Sequence, residues 1–264
     1  MHVLELNDSR FKLPSGGSSC GLEDGQIKIR SWIIDHERQF ASVLGCGDAY
    51  RIYKVLMEAL IVEPKNLNFD NLLLSDVLTV LYAVKEKSFG PIMEIEYPCP
   101  SCRVRNGYEI VIPDLLVKYP EDIEDYGISD LELKLQSAKV TCHLPTLGDQ
   151  KAVAQFIKHL EKSGRLKNKD KDEEIAYMAQ VIDSIDDKPR MMIQEKFERI
   201  LQFHPDDKGE FARFIEDQDT GLILDQSSTS CLSCSRNIDL PLSVGPDFFR
   251  SAPSKRRKLT RTYM

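Results

Sequence analysis

Two Cys-x-x-Cys pairs, placed far apart in the chain, constrain this fold more than any other feature. Cys99 and Cys102 lie in "YPCPSCRVRNGYEI", and Cys231 and Cys234 lie in "STSCLSCSRNIDLPL". Two intervening residues turn the backbone tightly enough for both thiolates of a pair to converge on one ion. Two such pairs complete the tetrahedral sulfur shell that zinc favours. The flanks agree, since each pair is followed by polar residues, an asparagine and an alternating apolar run. Asn106 and Asn237 are expected where the tight turns fall. An iron–sulfur cluster suits the same four thiolates less well, and two disulfides are the remaining arrangement.

This is the layout of a zinc ribbon, in which two knuckles top two hairpins. Ordinary ribbons carry about 15–20 residues between knuckles, and this chain inserts far more. Closing so long a loop adds little entropy cost, because the cost grows with the logarithm of length. A closed four-thiolate site leaves no coordination position for substrate, so its expected role is structural. A nucleic-acid-binding ribbon is the competing reading, supported by Arg103 and Arg105. A net charge of −7 and a single Trp argue against it.

Seven cysteines, an odd number, with two spaced pairs fit a reducing compartment better than a secreted disulfide scaffold. The N-terminus lacks the basic and apolar regions of a secretion signal. No run of about 18 apolar residues is present to span a membrane.

The patterns predict an α+β fold of split zinc-ribbon-like hairpins with inserted and flanking helices. Residues 1–25 are expected as an N-terminal extended segment, and 26–145 as a strand–helix unit with the first knuckle. Residues 146–220 are expected as an inserted helical region, 221–250 as the second knuckle and returning strand, and 251–264 as a basic tail. Strands are predicted from Gln26, on both sides of the first knuckle and in "LELKLQSAKVTCHLP". Helices are predicted behind Asp35, over 50–60, 70–87, behind Asp149, and over 174–185, 189–202 and 204–219, the last capped by Asp206 or Asp207. The stretch 164–173 reads as a charged connector. "IKIRSWIIDHERQFASVL" and "VTCHLPTLGDQKAVAQFI" share a strand, a bend, an Asp cap and a helix. Two unrelated units and a duplication explain this echo equally well.

No active-site constellation emerges. Cys20, Cys46 and Cys142 have no spaced partner and read as idle or buried thiols. Cys142 and His143 are neighbours in a strand, so they face opposite ways. The five histidines form no metal-ligand pattern, and His36 and His159 read as surface residues. The tail run Lys255, Arg256, Arg257 and Lys258 reads as a partner-binding element. A localisation signal, a nucleic-acid arm and an arm that orders on an acidic protein surface all fit its charge.

The order of features resembles the baseplate proteins of T-even-type, contractile-tailed bacteriophages. The carrying stretches are "LPSGG", "IKIRSW", "LLLSDVLTVLYAVKEKSFG", "IEYPCPSCRVRN", "IVIPDLLV" and "HLPTLGDQ". One departure is Lys85-Glu86-Lys87, where the family's helix end has an Arg ahead of Ser88-Phe89-Gly90. The resemblance implies a non-enzymatic structural subunit of the tail baseplate or hub, or a chaperone of its assembly absent from the mature virion. Its implied partners are other phage tail or baseplate proteins, with no small-molecule substrate, in the virion and, during assembly, the host cytoplasm. A zinc-ribbon nucleic-acid-binding regulator is the alternative from a different class.

Overall fold

The computed structural model describes residues 2–3, 6, 9–44, 48–188, 190–223, 228–240 and 248–249. The fold is α+β. Its first stretch contains β1 (His2–Val3), β2 (Arg10–Lys12), β3 (Gln26–Ile29), α1 (Ile34–Leu44), α2 (Ala49–Leu60), β4 (Ile61–Glu63) and α3 (Leu74–Phe89). Then follow the hairpin β5 (Ile92–Pro98) and β6 (Arg105–Val111), β7 (Leu116–Lys118), β8 (Leu131–Lys134) and β9 (Lys139–Cys142). The remainder comprises α4 (Leu147–Lys162), α5 (Lys169–Val181), β10 (Ile182–Ile185), α6 (Ile193–Ile200), α7 (Pro205–Gln218), β11 (Gly221–Leu222), β12 (Ser228–Ser230) and β13 (Asn237–Asp239).

Two apolar cores form. The first draws on the chain's early residues up to Val117 and again on Cys231 to Phe249, while the second runs from Leu131 to Phe211 and includes Leu73. Strand β7 pairs antiparallel with β11, Lys118 opposite Gly221, so the chain leaves the first core and returns to it side by side. Both cores carry a three-stranded antiparallel sheet, ordered β2-β3-β4 and β10-β9-β8. In each, a hairpin leads into two helices, and the third strand follows the second helix directly. The same C-cap recurs there: Ile61 N–H donates to the Met57 carbonyl, and Ile182 N–H to that of Met178. The echo in the sequence therefore extends to a shared strand–strand–helix–helix–strand topology.

Helix α3 is the axis of the first core. Every residue from Val77 to Lys85 except Leu78 is buried, which explains why its sequence is apolar on nearly all sides. It begins at Leu74, not Asp70, because Asn68 caps a separate 3-10 turn over Phe69–Asn71. Asp70 instead binds Tyr50 Oη and Lys151 Nζ. Fully buried Asp76 accepts hydrogen bonds from both the N–H and the Oγ of Ser15 in "LPSGG". Gly25 (φ +67°) lets that loop close, since a Cβ there would lie 2.7 Å from the Gly16 carbonyl oxygen. At the far end, Ser88 Oγ accepts from Trp32 N–H at 2.7 Å. The Lys85 ammonium lies 4.6 Å from the Phe89 ring centre and 5.9 Å from that of Phe248, which also meets Tyr82. Phe249 stacks on Trp32 at 4.0 Å.

Several caps differ from expectation. Asp35 lies inside the first turn of α1, and His36, expected at the surface, is buried with its Nδ1 accepting from Ile33 N–H. Burial lowers the His36 pKa. Thr146, not Asp149, caps α4, and Asp149 closes the capping box from the third position. Likewise His204 caps α7 while Asp207 returns the bond. The stretch read as a charged connector starts α5: Asn168 caps it, and Asp172 accepts from the N–H groups of Lys167 and Asn168. That helix ends at Val181, and the residues after it pair with β9 as β10.

In the second core His143 Nδ1 lies 2.8 Å from Asp183 and its Nε2 lies 3.2 Å from Asp149. Burial opposes charge on the imidazole, but these two carboxylates outweigh it and hold its pKa up to about 9. The His143 contribution to stability is therefore complete below its unfolded value, near 6.5, and is lost as pH rises through about 9. Wild type should lose on the order of 2 kcal/mol across that window in urea unfolding, and His143→Gln should flatten this limb. An equal slope in both proteins would refute the pairing. For Asp76, burial raises the pKa to about 7 and the Ser15 bonds oppose that rise. Ser15→Ala should therefore cost about 1–3 kcal/mol, and more above pH 7, where the carboxylate is charged, than below it. A cost independent of pH would show that Ser15 does not hold the charged form.

Candidate metal centre

The two Cys pairs sit at the turns of two separate antiparallel hairpins. The first, β5–β6, pairs in unbroken register from Ile92 opposite Val111 to Pro98 opposite Arg105. The second, β12–β13, pairs Ser228 with Asp239, Thr229 with Ile238 and Ser230 with Asn237. Their turns are built alike. Cys99 N–H donates to the Val104 carbonyl and Arg103 N–H to that of Cys99; Cys231 N–H donates to the Arg236 carbonyl and Ser235 N–H to that of Cys231. Arg103 and Ser235, each next after the second cysteine, take left-handed backbone with φ of 62° and 59°. Those residues make the sharp bend. Asn106 and Asn237, expected in the turns, lie in strands β6 and β13.

The four Sγ atoms all lie within 4.8 Å of one another. Across the hairpins, Cys99 and Cys234 approach to 3.7 Å, as do Cys102 and Cys231. A disulfide requires about 2.05 Å. Thiolates about 2.3 Å from a shared ion at the centre of a tetrahedron stand about 3.8 Å apart. The observed spacing therefore fits four ligands around one ion.

The surroundings favour thiolate at Cys99 and Cys231, while at Cys102 the Val104 hydrogen bond is outweighed by burial and the other three sulfurs, which push the thiol up to about 11. N–H groups of Ser101 and Cys102 point at Cys99 Sγ, at 3.4 and 3.5 Å, and that of Ser233 at Cys231 Sγ, at 3.4 Å. The Cys102 N–H lowers the Cys99 pKa, and the Ser233 N–H draws Cys231 down to about 6. Asn106 joins the two turns: its Nδ2 donates to Cys231 Sγ at 3.3 Å and its Oδ1 accepts from Ser233 Oγ at 3.3 Å. Sequence reading placed Asn106 in a turn and missed this bridge; its position four residues after Cys102, next to an alternating strand, was the available signal.

Among the described residues the remaining cysteines, Cys20 and Cys142, stay apart from the cluster. Cys20 and Cys142 are buried, and burial pushes their thiols up to about 11 and about 12, away from reactivity. Cys46 lies outside the described residues, as do Lys255, Arg256, Arg257 and Lys258. Cys142 and His143 do face opposite ways, Cys142 into the core and His143 towards Asp149 and Asp183.

The fold and the site define a mixed α+β protein whose two distant cysteine pairs meet at one point. A family model described as T4 bacteriophage base plate protein matches residues 7–249, and the chain belongs to that family. No curated protein and no solved structure matches it. Among the described residues no helix is long and apolar enough to cross a membrane.

Because the sulfurs of both hairpins converge, Cys231→Ser should loosen β5–β6 together with β12–β13. Amide hydrogen exchange should show faster exchange in both hairpins while α4 and α5 keep their protection. Loss confined to β12–β13 would mean that the two turns are not coupled.

Proposed function

We propose that the chain is a non-enzymatic structural subunit of a contractile-tail baseplate or hub, acting through contacts with other tail proteins in the virion. Cys99, Cys102, Cys231 and Cys234 hold one zinc ion, which locks the two hairpins as a split zinc ribbon. The observation that carries the metal half is the 3.7 Å approach of sulfurs from opposite hairpins, set in a shell of N–H donors. An iron–sulfur cluster shares its thiolates among several irons and needs a wider shell than this one. With four sulfurs the ion has no open position, so it supplies folding energy and no reaction.

The stretch between the knuckles is an insertion. The pairing of Lys118 with Gly221, where the chain leaves and returns, supports this. On this reading the inserted unit is the second core, so it includes β8 and β9 ahead of its helices. The family supports the baseplate assignment, and the net charge of −7 continues to disfavour a nucleic-acid-binding role.

Quantitative mass spectrometry of purified virions tests the assignment. A structural subunit should be present in fixed proportion to the other tail proteins, in full-length form. Its absence from virions whose assembly requires it would identify an assembly factor instead.

A further inference from the structure

A cleft of about 710 Å³ opens between the two cores, walled by α3, α7 and β11. Gly221 (φ +107°) brings β11 close against α3, where a Cβ would lie 2.9 Å from that of Ser75. The lining is apolar at Leu74, Leu78, Ile215, Leu222 and Ile223, and acidic at Glu216, Asp217 and Asp219. Its lysine, Lys118, is engaged with the carbonyl oxygens of Glu216 and Asp217. Thr220 is 5% exposed and lines the cleft, with its hydroxyl beside that of Tyr126. The cleft thus combines apolar walls with carboxylates.

The last described residues lie on the same helix. Ser75, Leu78, Tyr82 and Lys85 follow one stripe of α3 at spacings of three and four residues. The first two line the cleft, and the last two touch Phe248. Seven helical residues separate Ser75 from Tyr82, about 10 Å of rise. From Phe249 to Lys255 an extended chain spans up to about 20 Å. Residues 250–264 include Arg250, Lys255, Arg256, Arg257, Lys258 and Arg261, no acidic residue, and apolar Leu259, Tyr263 and Met264. The family match stops at 249, ahead of this segment.

We propose that the chain's own C-terminal segment, residues 255–264, docks in this cleft, with its basic run against Glu216, Asp217 and Asp219 and its apolar residues against α3 and β11. Reach, charge and apolar character all match. The basic run then has its acidic partner within the same molecule.

Zero-length carbodiimide coupling of the full chain, as an equal mixture of unlabelled and nitrogen-15 protein, tests this directly. Lys255 or Lys258 should couple to Glu216 or Asp217 within single molecules. Coupling should fall steeply in about 1 M salt, where the screening length is about 3 Å. Coupling of the tail lysines only to other carboxylates, only between differently labelled molecules, or not at all would overturn the proposal. A second measurement leaves the cleft unaltered. Changing Lys255, Arg256, Arg257 and Lys258 to Gln should speed amide exchange in 212–222 roughly fivefold, with α4 and α5 unchanged. Unchanged exchange in 212–222 would also overturn it. Neither readout depends on the baseplate assignment or on the metal.

Discussion

Four sulfurs from two hairpins, brought to one point across more than a hundred residues, are the constraint on which the first core depends. Cys99 meets Cys234 across a sequence separation of 135, and Cys102 meets Cys231 across 129. Hairpins of this size, β12–β13 above all, are marginal alone in water. Each gains its place from the other and from the apolar residues beneath them, Tyr108 and Ile238 among them. The long intervening stretch adds little closure entropy, because β7 and β11 bring its two ends together. Phe248 and Phe249 then fasten the chain's return against Trp32, Phe40 and Tyr82.

The same logic organises the two cores. Each is a three-stranded sheet covered by helices, and the buried carboxylates of Asp76, Asp149 and Asp207 have their partners supplied. Asp76 receives Ser15, Asp149 receives Thr146, Gln180 and His143, and Asp207 receives Gln136 and His204. Such groups specify the packing because an unpaired one costs far more than a paired one contributes. They also account for the motifs: Ser15 of "LPSGG" and Asp76 of "LLLSD" are one contact, read as two separate signatures.

Element types were legible because the apolar periodicity is strong, and α2, α3, α4 and the β5–β6 hairpin lie close to where the pattern puts them. The starts of helices were harder. Asp35, Asp149 and Asp207 all look like caps in isolation, and each is in fact an inner first-turn residue. An acidic residue suits both places, since the helix dipole acts over the whole first turn. Asn168 was hidden within a run of charges. Strand β10 was merged into α5 because a short apolar run carries no period of its own. At the centre, the residue types and spacing of the four cysteines sufficed to bring them together. The Asn106 bridge between the turns required coordinates, because nothing local to Asn106 names Ser233 or Cys231 as its neighbour. Near the end of α3 the Lys85 ammonium meets the rings of Phe89 and Phe248.

Native mass spectrometry of the intact chain, purified under reducing conditions, tests the central claim most directly. The folded chain should carry the mass of a single zinc ion with its four ligand thiols deprotonated, and should lose both the ion and its compact charge-state distribution together when the metal is chelated. A compact chain free of metal, or one carrying two disulfides or an iron–sulfur cluster, would contradict it.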